Sequence, residues 1–250
     1  MSLTLLLPII FCASFILTMV GLGGGLVFSP LFVLLGFPVT TAVSASLFLN
    51  GIAAFSAAIT YYRRKLIDTK TAVPLLVSST LAAPFGAMLT GIVDIRVFSG
   101  IMALVVFLAA MRMILSANAA ATSREPNIRS RVIGGAIIGI VVGIMGGLLG
   151  IGGGVFIVPL LIYVLKMPTK QAAATSIFIV VFSSFSGFVA HVSLAGTDWG
   201  FILPAAVFSF AGGQLGSRVM AERLKGRAIR QIFGVLLLLF FLKLLQKALL

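Results

Sequence analysis

The stretch that decides the fold is VGLGGGLVFSP, residues 20–30, which places four glycines within five positions of an apolar segment. A near copy, LGIGGGVFIVP, occupies residues 149–159. A glycine inside a helix costs about 0.5–1 kcal/mol relative to alanine. Two such clusters in apolar sequence therefore need a structural or functional reason.

The composition is that of a membrane protein. Hydrophobic residues make up 60% of the chain and charged residues 9%, whereas a soluble domain carries about 25% charged residues. Apolar runs of about 18–25 residues recur, enough to cross a hydrocarbon core of about 30 Å. We expect an all-α polytopic membrane protein with the lipid bilayer as its environment. The net charge of +13 does not indicate a nucleic acid partner, because the basic residues lie where apolar runs end.

The two halves of the sequence resemble each other. Aligning residues 21–61 with residues 150–191, with one insertion, makes twelve of 41 pairs identical. The pairs Pro30/Pro159 and Ser46/Ser176 are among them, and apolar helices that are alike by chance would not align Gly, Pro and Ser together. We therefore predict a first repeat in residues 1–115, a cytoplasmic linker in 116–131 and a second repeat in 132–250.

Each repeat is predicted to contain a hairpin followed by three transmembrane helices. The hairpins occupy residues 3–36 and 131–166, each broken at its glycine cluster. The transmembrane helices are expected at 39–61, 71–91, 96–115, 169–192, 199–220 and 228–248. The N-terminal stretch lacks a basic region before its apolar run, so it is interpreted as a retained membrane segment.

The distribution of Lys and Arg favours inverted repeats. Eight full crossings in two parallel repeats would leave 10 basic residues inside and 8 outside. If each glycine region instead enters and leaves on the same side, the count becomes 15 inside and 3 outside, which fits the positive-inside rule far better. This arrangement predicts a cell inner membrane protein with both termini outside, and residues 63–65, the linker and residues 218–230 in the cytoplasm.

The glycine breaks are the predicted binding site. A helix that begins after each cluster offers unpaired N–H groups with partial positive charge, and glycine lets a ligand approach the backbone. Two such ends meeting near the midplane would hold an anion without a buried Lys or Arg. Positive φ is also expected at Gly24 and Gly153. The predicted substrate-binding residues are Gly23, Gly24, Gly25, Ser44, Ser46, Asn50, Gly152, Gly153, Gly154, Thr175 and Ser176, and Gln214 is a further candidate for the path.

Other interpretations of these residues stay open. Glycines in membrane helices often serve close packing, and Ser or Thr often bonds its own helix backbone. The five carboxylates lie at span ends or in loops, so no buried group for proton coupling is evident. One cysteine and one histidine predict no metal site and no cofactor, and together with the missing nucleotide-binding loop they argue against an enzyme.

Two longer segments carry a family resemblance. GLGGGLVFSPLFVLLGFPVTTAVSASLF and GLLGIGGGVFIVPLLIYVLKMPTKQAAATS resemble the paired motifs of the sulfite exporter TauE/SafE family, over residues 5–248. The resemblance implies a bacterial or archaeal inner-membrane permease for a small anion, sulfite or an organosulfonate first. A secondary transporter is the leading hypothesis, an anion channel with the same pore chemistry the alternative, and a scaffold without transport a distant third. Import or export, a coupling ion and assembly into a homo-oligomer are left open.

Overall fold

The computed structural model describes residues 3–89, 95–115, 128–149, 154–192 and 199–249. These residues form helices and no strands. The helices are α1 (Leu3–Val20), α2 (Gly25–Leu34), α3 (Val39–Arg63), α4 (Thr69–Leu89), α5 (Ile95–Leu115), α6 (Ile128–Leu149), α7 (Gly154–Tyr163), α8 (Thr169–Val192), α9 (Trp199–Glu222) and α10 (Gly226–Leu249).

The six long predicted helices are confirmed, each within two residues at both ends. Three helical segments of the described chain are long and apolar enough to cross a membrane: Thr41–Arg63, Thr169–Val189 and Trp199–Glu222. The protein is therefore a multi-pass membrane protein. Helix α6 begins at Ile128, so the last four residues assigned to the linker are helical.

The first glycine cluster breaks a helix, as predicted. Helix α1 ends at Val20 and α2 begins at Gly25. The ten residues of α2 rise about 15 Å at 1.5 Å per residue, roughly half of the hydrocarbon core. Helix α7 also has ten residues and follows the second cluster. Residues 150–153 of that cluster lie outside the described residues.

The helices group into two compact units. The first unit comprises Met1–Ala72 and Lys170–Leu224, and the second comprises Val73–Thr169 and Lys225–Leu250. Helices α1, α2, α3, α8 and α9 therefore belong to the first unit, and the other five to the second. Each unit takes helices from both halves of the sequence.

Helix α2 turns back along α1 in the first unit. Phe28 and Phe32 of α2 pack in one buried cluster with Leu6 and Ile10 of α1. The beginnings of α3 and α9 contribute to the same cluster, and the Phe32 and Phe201 rings meet edge to face with centroids 5.6 Å apart. The chain thus returns, after the glycine break, toward the end of the unit where α1 starts.

Helices α1 and α3 run in the same direction as α9. The hydroxyls of Ser14 and Ser209 lie 3.0 Å apart, and Ser209 also donates to the carbonyl oxygen of Leu49 at 2.8 Å. Further along α3 and α9, Arg64 at the end of α3 forms an ion pair with Glu222 at the end of α9.

Helix α8 runs in the opposite direction. Lys170, near its start, donates through Nζ to the carbonyl oxygen of Ala221 at 2.9 Å. Further along α8, Ser184 is hydrogen bonded to Asn50 in the middle of α3, and Phe188 packs on Phe48 with ring centroids 4.9 Å apart. Helix α8 therefore starts at the end of the unit where α3 and α9 finish.

Glycines bring helices close together in both units. In the first unit, a Cβ on Gly212 or Gly216 of α9 would run into the backbone of α1. In the second unit, a Cβ on Gly139 or Gly143 of α6 would run into the backbone of α4. Small residues that let helix backbones approach in this way are typical of membrane proteins.

Candidate functional site

The turn between α1 and α2 depends on two glycines with positive φ. Gly21 has φ +90° and Gly23 has φ +69°, conformations that side chains other than glycine's disfavour. Gly24 is the N-cap of α2 and has φ −85°. The positive φ expected at Gly24 is therefore wrong, because the turn is made one and three residues earlier. Gly153 lies outside the described residues.

The turn is attached to α8 by Gly21. A Cβ at this position would lie 2.7 Å from the Cα of Ala173, so the two backbones are in direct contact. The buried hydroxyl of Ser176 donates to the carbonyl oxygen of Gly21 at 2.7 Å. Ser176 thus satisfies a carbonyl that the end of α1 leaves without a helical partner.

The turn meets α3 at Asn50. A Cβ on Gly23 would collide with Oδ1 of Asn50 and would lie 3.0 Å from Val180 of α8. Nδ2 of Asn50 donates to Oγ of Ser184 at 2.6 Å. Asn50 is 7% exposed, and its Oδ1 accepts no hydrogen bond within the described part of the chain. An unsatisfied polar atom in a buried position costs about 1–3 kcal/mol, so this amide is suited to a ligand.

The start of α2 adds positive potential to the same place. Phe28 N–H donates to the carbonyl oxygen of Gly24 at 3.2 Å, closing the first α-helical turn of α2. The Val27 N–H also donates to this oxygen, at 3.1 Å. The N–H groups of the residues before Val27 have no helical partner, and the helix end carries partial positive charge. We refer to Gly21, Gly23, Gly24, Asn50, Ser176 and Ser184 as the turn site.

The other predicted residues in the first unit have different surroundings. Gly25 is the first residue of α2. Ser44 and Ser46 are buried in α3, and the Ser44 hydroxyl has no hydrogen-bond partner among the described residues. Thr175 accepts a hydrogen bond from the backbone N–H of Asp68 at 3.1 Å, so its hydroxyl is engaged by the segment that leads into α4.

The second glycine cluster is only partly described. Gly154 is buried and begins α7. Gly152 and Gly153 lie outside the described residues, so their predicted part in the site stays a prediction. Of the predicted residues, the structure brings Gly23, Gly24, Asn50 and Ser176 together around the first break.

Two residues of the turn site were missing from the predicted set. Gly21 was visible in the motif itself, as the first of its four glycines. Ser184 belongs to the site only because α8 packs antiparallel against α3. Nothing in the sequence around Ser184 predicts that packing. Gln214 accepts a hydrogen bond from Ser56 at 3.1 Å and lies in the wall of a polar cavity between α3 and α9.

Comparison with known proteins gives a consistent picture. The family model described as Sulfite exporter TauE/SafE matches residues 6–244. The chain is 27% identical over 262 residues to the "Probable membrane transporter protein YunE" of Bacillus subtilis, covering 96% of both chains. It is 26% identical to a protein of the archaeon Methanocaldococcus jannaschii that is also called a probable membrane transporter, over 76% of this chain and 73% of that one. No solved structure matches the chain significantly.

Proposed function

The chain belongs to the sulfite exporter TauE/SafE family of membrane transporters, and from this premise we propose that it carries a small oxyanion, sulfite or an organosulfonate, which binds at the turn site. The observation that supports this most is the Asn50 amide, buried against the glycine turn with one polar atom unsatisfied. Its position beside the start of α2 makes it a ligand group for an anion that the helix end attracts.

The amide can serve an anion in one of its two orientations. In the structure Oδ1 faces Gly23 and Nδ2 donates to Ser184. Turning the amide over brings Nδ2 to Gly23, lets Oδ1 accept the hydrogen bond of the Ser184 hydroxyl, and makes the N–H₂ group available to an oxyanion. Once the ligand is bound, the Asn50 amide and the Ser184 hydroxyl both have hydrogen-bond partners. A hydrogen bond to a charged partner contributes about 1.5–3 kcal/mol. Ser184 is thus a positioning residue for Asn50.

The second repeat is proposed to supply an equivalent helix end. Helix α7 matches α2 in length and in the position of its proline, Pro159 against Pro30. Gly152, Gly153 and Gly154 would then do for α7 what the first cluster does for α2. The glycine contacts also correspond. Helices α1 and α6 are counterparts in the two repeats, and so are α9 and α4. Helix α1 packs on α9, and α6 packs on α4 in the same way.

Inverted repeats are supported by helix directions inside the first unit. Helices α3 and α8 are counterparts in the two repeats and run antiparallel, whereas parallel repeats would give them the same direction. The Arg64–Glu222 ion pair brings the ends of α3 and α9 to one face, which parallel repeats would separate. From the positive-inside rule, we propose that this face is cytoplasmic and that both termini are outside. We propose that the protein is located in a bacterial or archaeal inner membrane.

The transport proposal is tested in proteoliposomes. Uptake of sulfite should be saturable and should exceed uptake of a cation or a neutral sugar, with sulfate, thiosulfate, sulfoacetate and taurine defining the preference. Exchange of internal for external substrate would identify a carrier, and flux that does not saturate would identify an anion channel. Absence of anion flux in correctly folded protein would contradict the proposal.

A pair of adjacent serines gives a matched test of the turn site. Ser184→Ala removes the partner of Asn50, and sulfite uptake should fall about tenfold, the equivalent of one hydrogen bond of about 1.4 kcal/mol. Ser183 is exposed and donates to its own helix at Val180, so Ser183→Ala should retain wild-type uptake. Equal uptake by the two variants would remove Ser184 from the site.

A further inference from the structure

A polar cavity lies between the ends of α3 and α9, apart from the turn site. It is open to the surroundings, has a volume of about 390 Å³, and is lined by Thr60, Arg63, Arg64, Gln214, Arg218 and Glu222. On α3 the lining residues are spaced three and four apart, and on α9 they recur every four residues, so each helix presents one polar stripe. All six belong to the first unit. We call this space the arginine cavity.

The charges of the arginine cavity do not balance. Three guanidinium groups face one carboxylate. Arg64 and Glu222 form an ion pair, with side chains 56% and 47% exposed. Arg63 and Arg218 therefore contribute two positive charges that this pair leaves uncompensated. The negative ends of α3 and α9 account for basic residues at this face, but not for their convergence on one cavity.

A second observation points to a ligand. Thr60 is 7% exposed, and its hydroxyl oxygen is buried without a hydrogen-bond partner in the described part of the structure. The Gln214 amide, beside it in the wall, has its Oε1 3.1 Å from Oγ of Ser56, whose single proton is shared with the carbonyl oxygen of Phe210 at 2.8 Å. The N–H₂ group of Gln214 is the donor left for another acceptor. Guanidinium, hydroxyl and amide N–H groups together are suited to a small oxyanion with several acceptor oxygens.

We propose that the arginine cavity is a second binding site for small oxyanions, held by Arg63 and Arg218, where the transported anion is collected or released at this face of the membrane. This inference rests on the proposed anion transport. Arg64 shields the site from the carboxylate of Glu222, and the two remaining guanidinium groups attract the anion. Because the arginines are exposed, added inert salt should weaken binding.

The test uses substitutions that should act in opposite directions. Sulfite is titrated calorimetrically into the full-length protein in detergent. Arg218→Gln should weaken binding at this site five- to tenfold. Glu222→Gln removes the like charge and releases Arg64, so it should tighten binding about threefold. A purely structural role for the Arg64–Glu222 pair predicts no tightening. Arg223→Gln is the matched control, since Arg223 is exposed beside Glu222 but does not line the cavity.

The outcomes separate this site from the turn site. Asn50→Ala should abolish flux yet retain the sulfite binding that depends on Arg218. If wild-type vesicles show no oxyanion flux but Arg218-dependent binding persists, the transport proposal fails and the cavity stands as an anion site. If flux is normal while Arg218→Gln and Glu222→Gln both bind sulfite as the wild type does, the cavity site is overturned. Should Arg218→Gln fail to fold, the direction of change in Glu222→Gln decides alone.

Discussion

Gly21 combines a backbone requirement with a packing requirement, and the two can be separated. Alanine at this position must adopt φ +90° and must also fit against the backbone of Ala173. The left-handed conformation costs roughly 1–2 kcal/mol, and overpacking adds roughly 1–3 kcal/mol. Gly21→Ala should therefore lower the free energy of unfolding in detergent by about 2–5 kcal/mol.

Gly36 is the natural control for this substitution. Its φ is +86°, but nothing lies within 4 Å of the place where a Cβ would stand. Gly36→Ala should lose only the conformational part, about 1–2 kcal/mol. Equal losses at the two positions would mean that contact with Ala173 does not hold the turn against α8.

Asn50 can be tested with an isosteric change. Asn50→Asp keeps the shape of the side chain but replaces its donor with an acidic group beside the start of α2. A carboxylate there would repel an anion and occupy the positive helix end, so sulfite uptake should fall at least tenfold. Uptake is measured in proteoliposomes with equal amounts of folded protein. Uptake equal to that of the wild type would place the substrate elsewhere.

The sequence allowed the residue types of the site to be predicted better than their roles. The glycine motif predicts the break correctly but assigns positive φ to Gly24, whereas Gly21 and Gly23 have it. The φ values depend on how the chain leaves α1, which the motif does not specify. Asn50 and Ser176 stood out as polar residues in apolar helices. Ser184 did not, because only the crossing of α3 and α8 brings it to Asn50.

At the scale of helices, apolar run length and breaking residues were enough to predict the ends of α3, α4, α5, α8, α9 and α10 within two residues. Which helices pack against each other was not predictable in the same way. A glycine looks alike in sequence whether it packs on a neighbour or turns the chain. The structure assigns Gly212 and Gly216 to packing against α1, and Gly21 and Gly23 to the turn.

The α1–α9 contact gives a prediction at this scale. At Gly216 a Cβ would run into the Phe15 carbonyl of α1, so Gly216→Leu should force the helices apart and lower the thermal unfolding temperature in detergent by several degrees. At Gly226 a Cβ would meet Thr169 at 3.5 Å, an ordinary contact, so Gly226→Ala should leave that temperature within about a degree. Retention of wild-type thermal stability by Gly216→Leu would contradict close packing of α1 on α9.

For the whole molecule, both compact units combine helices from the two halves of the sequence. Neither half forms a unit by itself, so the two halves are expected to fold together. The charge count suggested which ends of the helices share a membrane face, but the grouping of helices depends on side-chain contacts between distant segments. Ion pairing of Arg64 with Glu222 is one such contact, and it bears directly on topology.

The topology prediction distinguishes inverted from parallel repeats at two positions. Single cysteines are introduced in a Cys12→Ser background and treated with a membrane-impermeant maleimide on intact cells. Inverted repeats predict that a cysteine at Trp199 is labelled and one at Glu222 is protected, and parallel repeats predict the reverse. Two positions serve as controls because both arrangements agree on them: a cysteine at Leu34 is labelled and one at Arg64 is protected. All four should react once the cells are permeabilised. Because Arg64 and Glu222 are in contact, cysteines at these two positions are expected on the same face of the membrane. A labelled cysteine at Glu222 together with a protected cysteine at Arg64 would exclude the inverted arrangement.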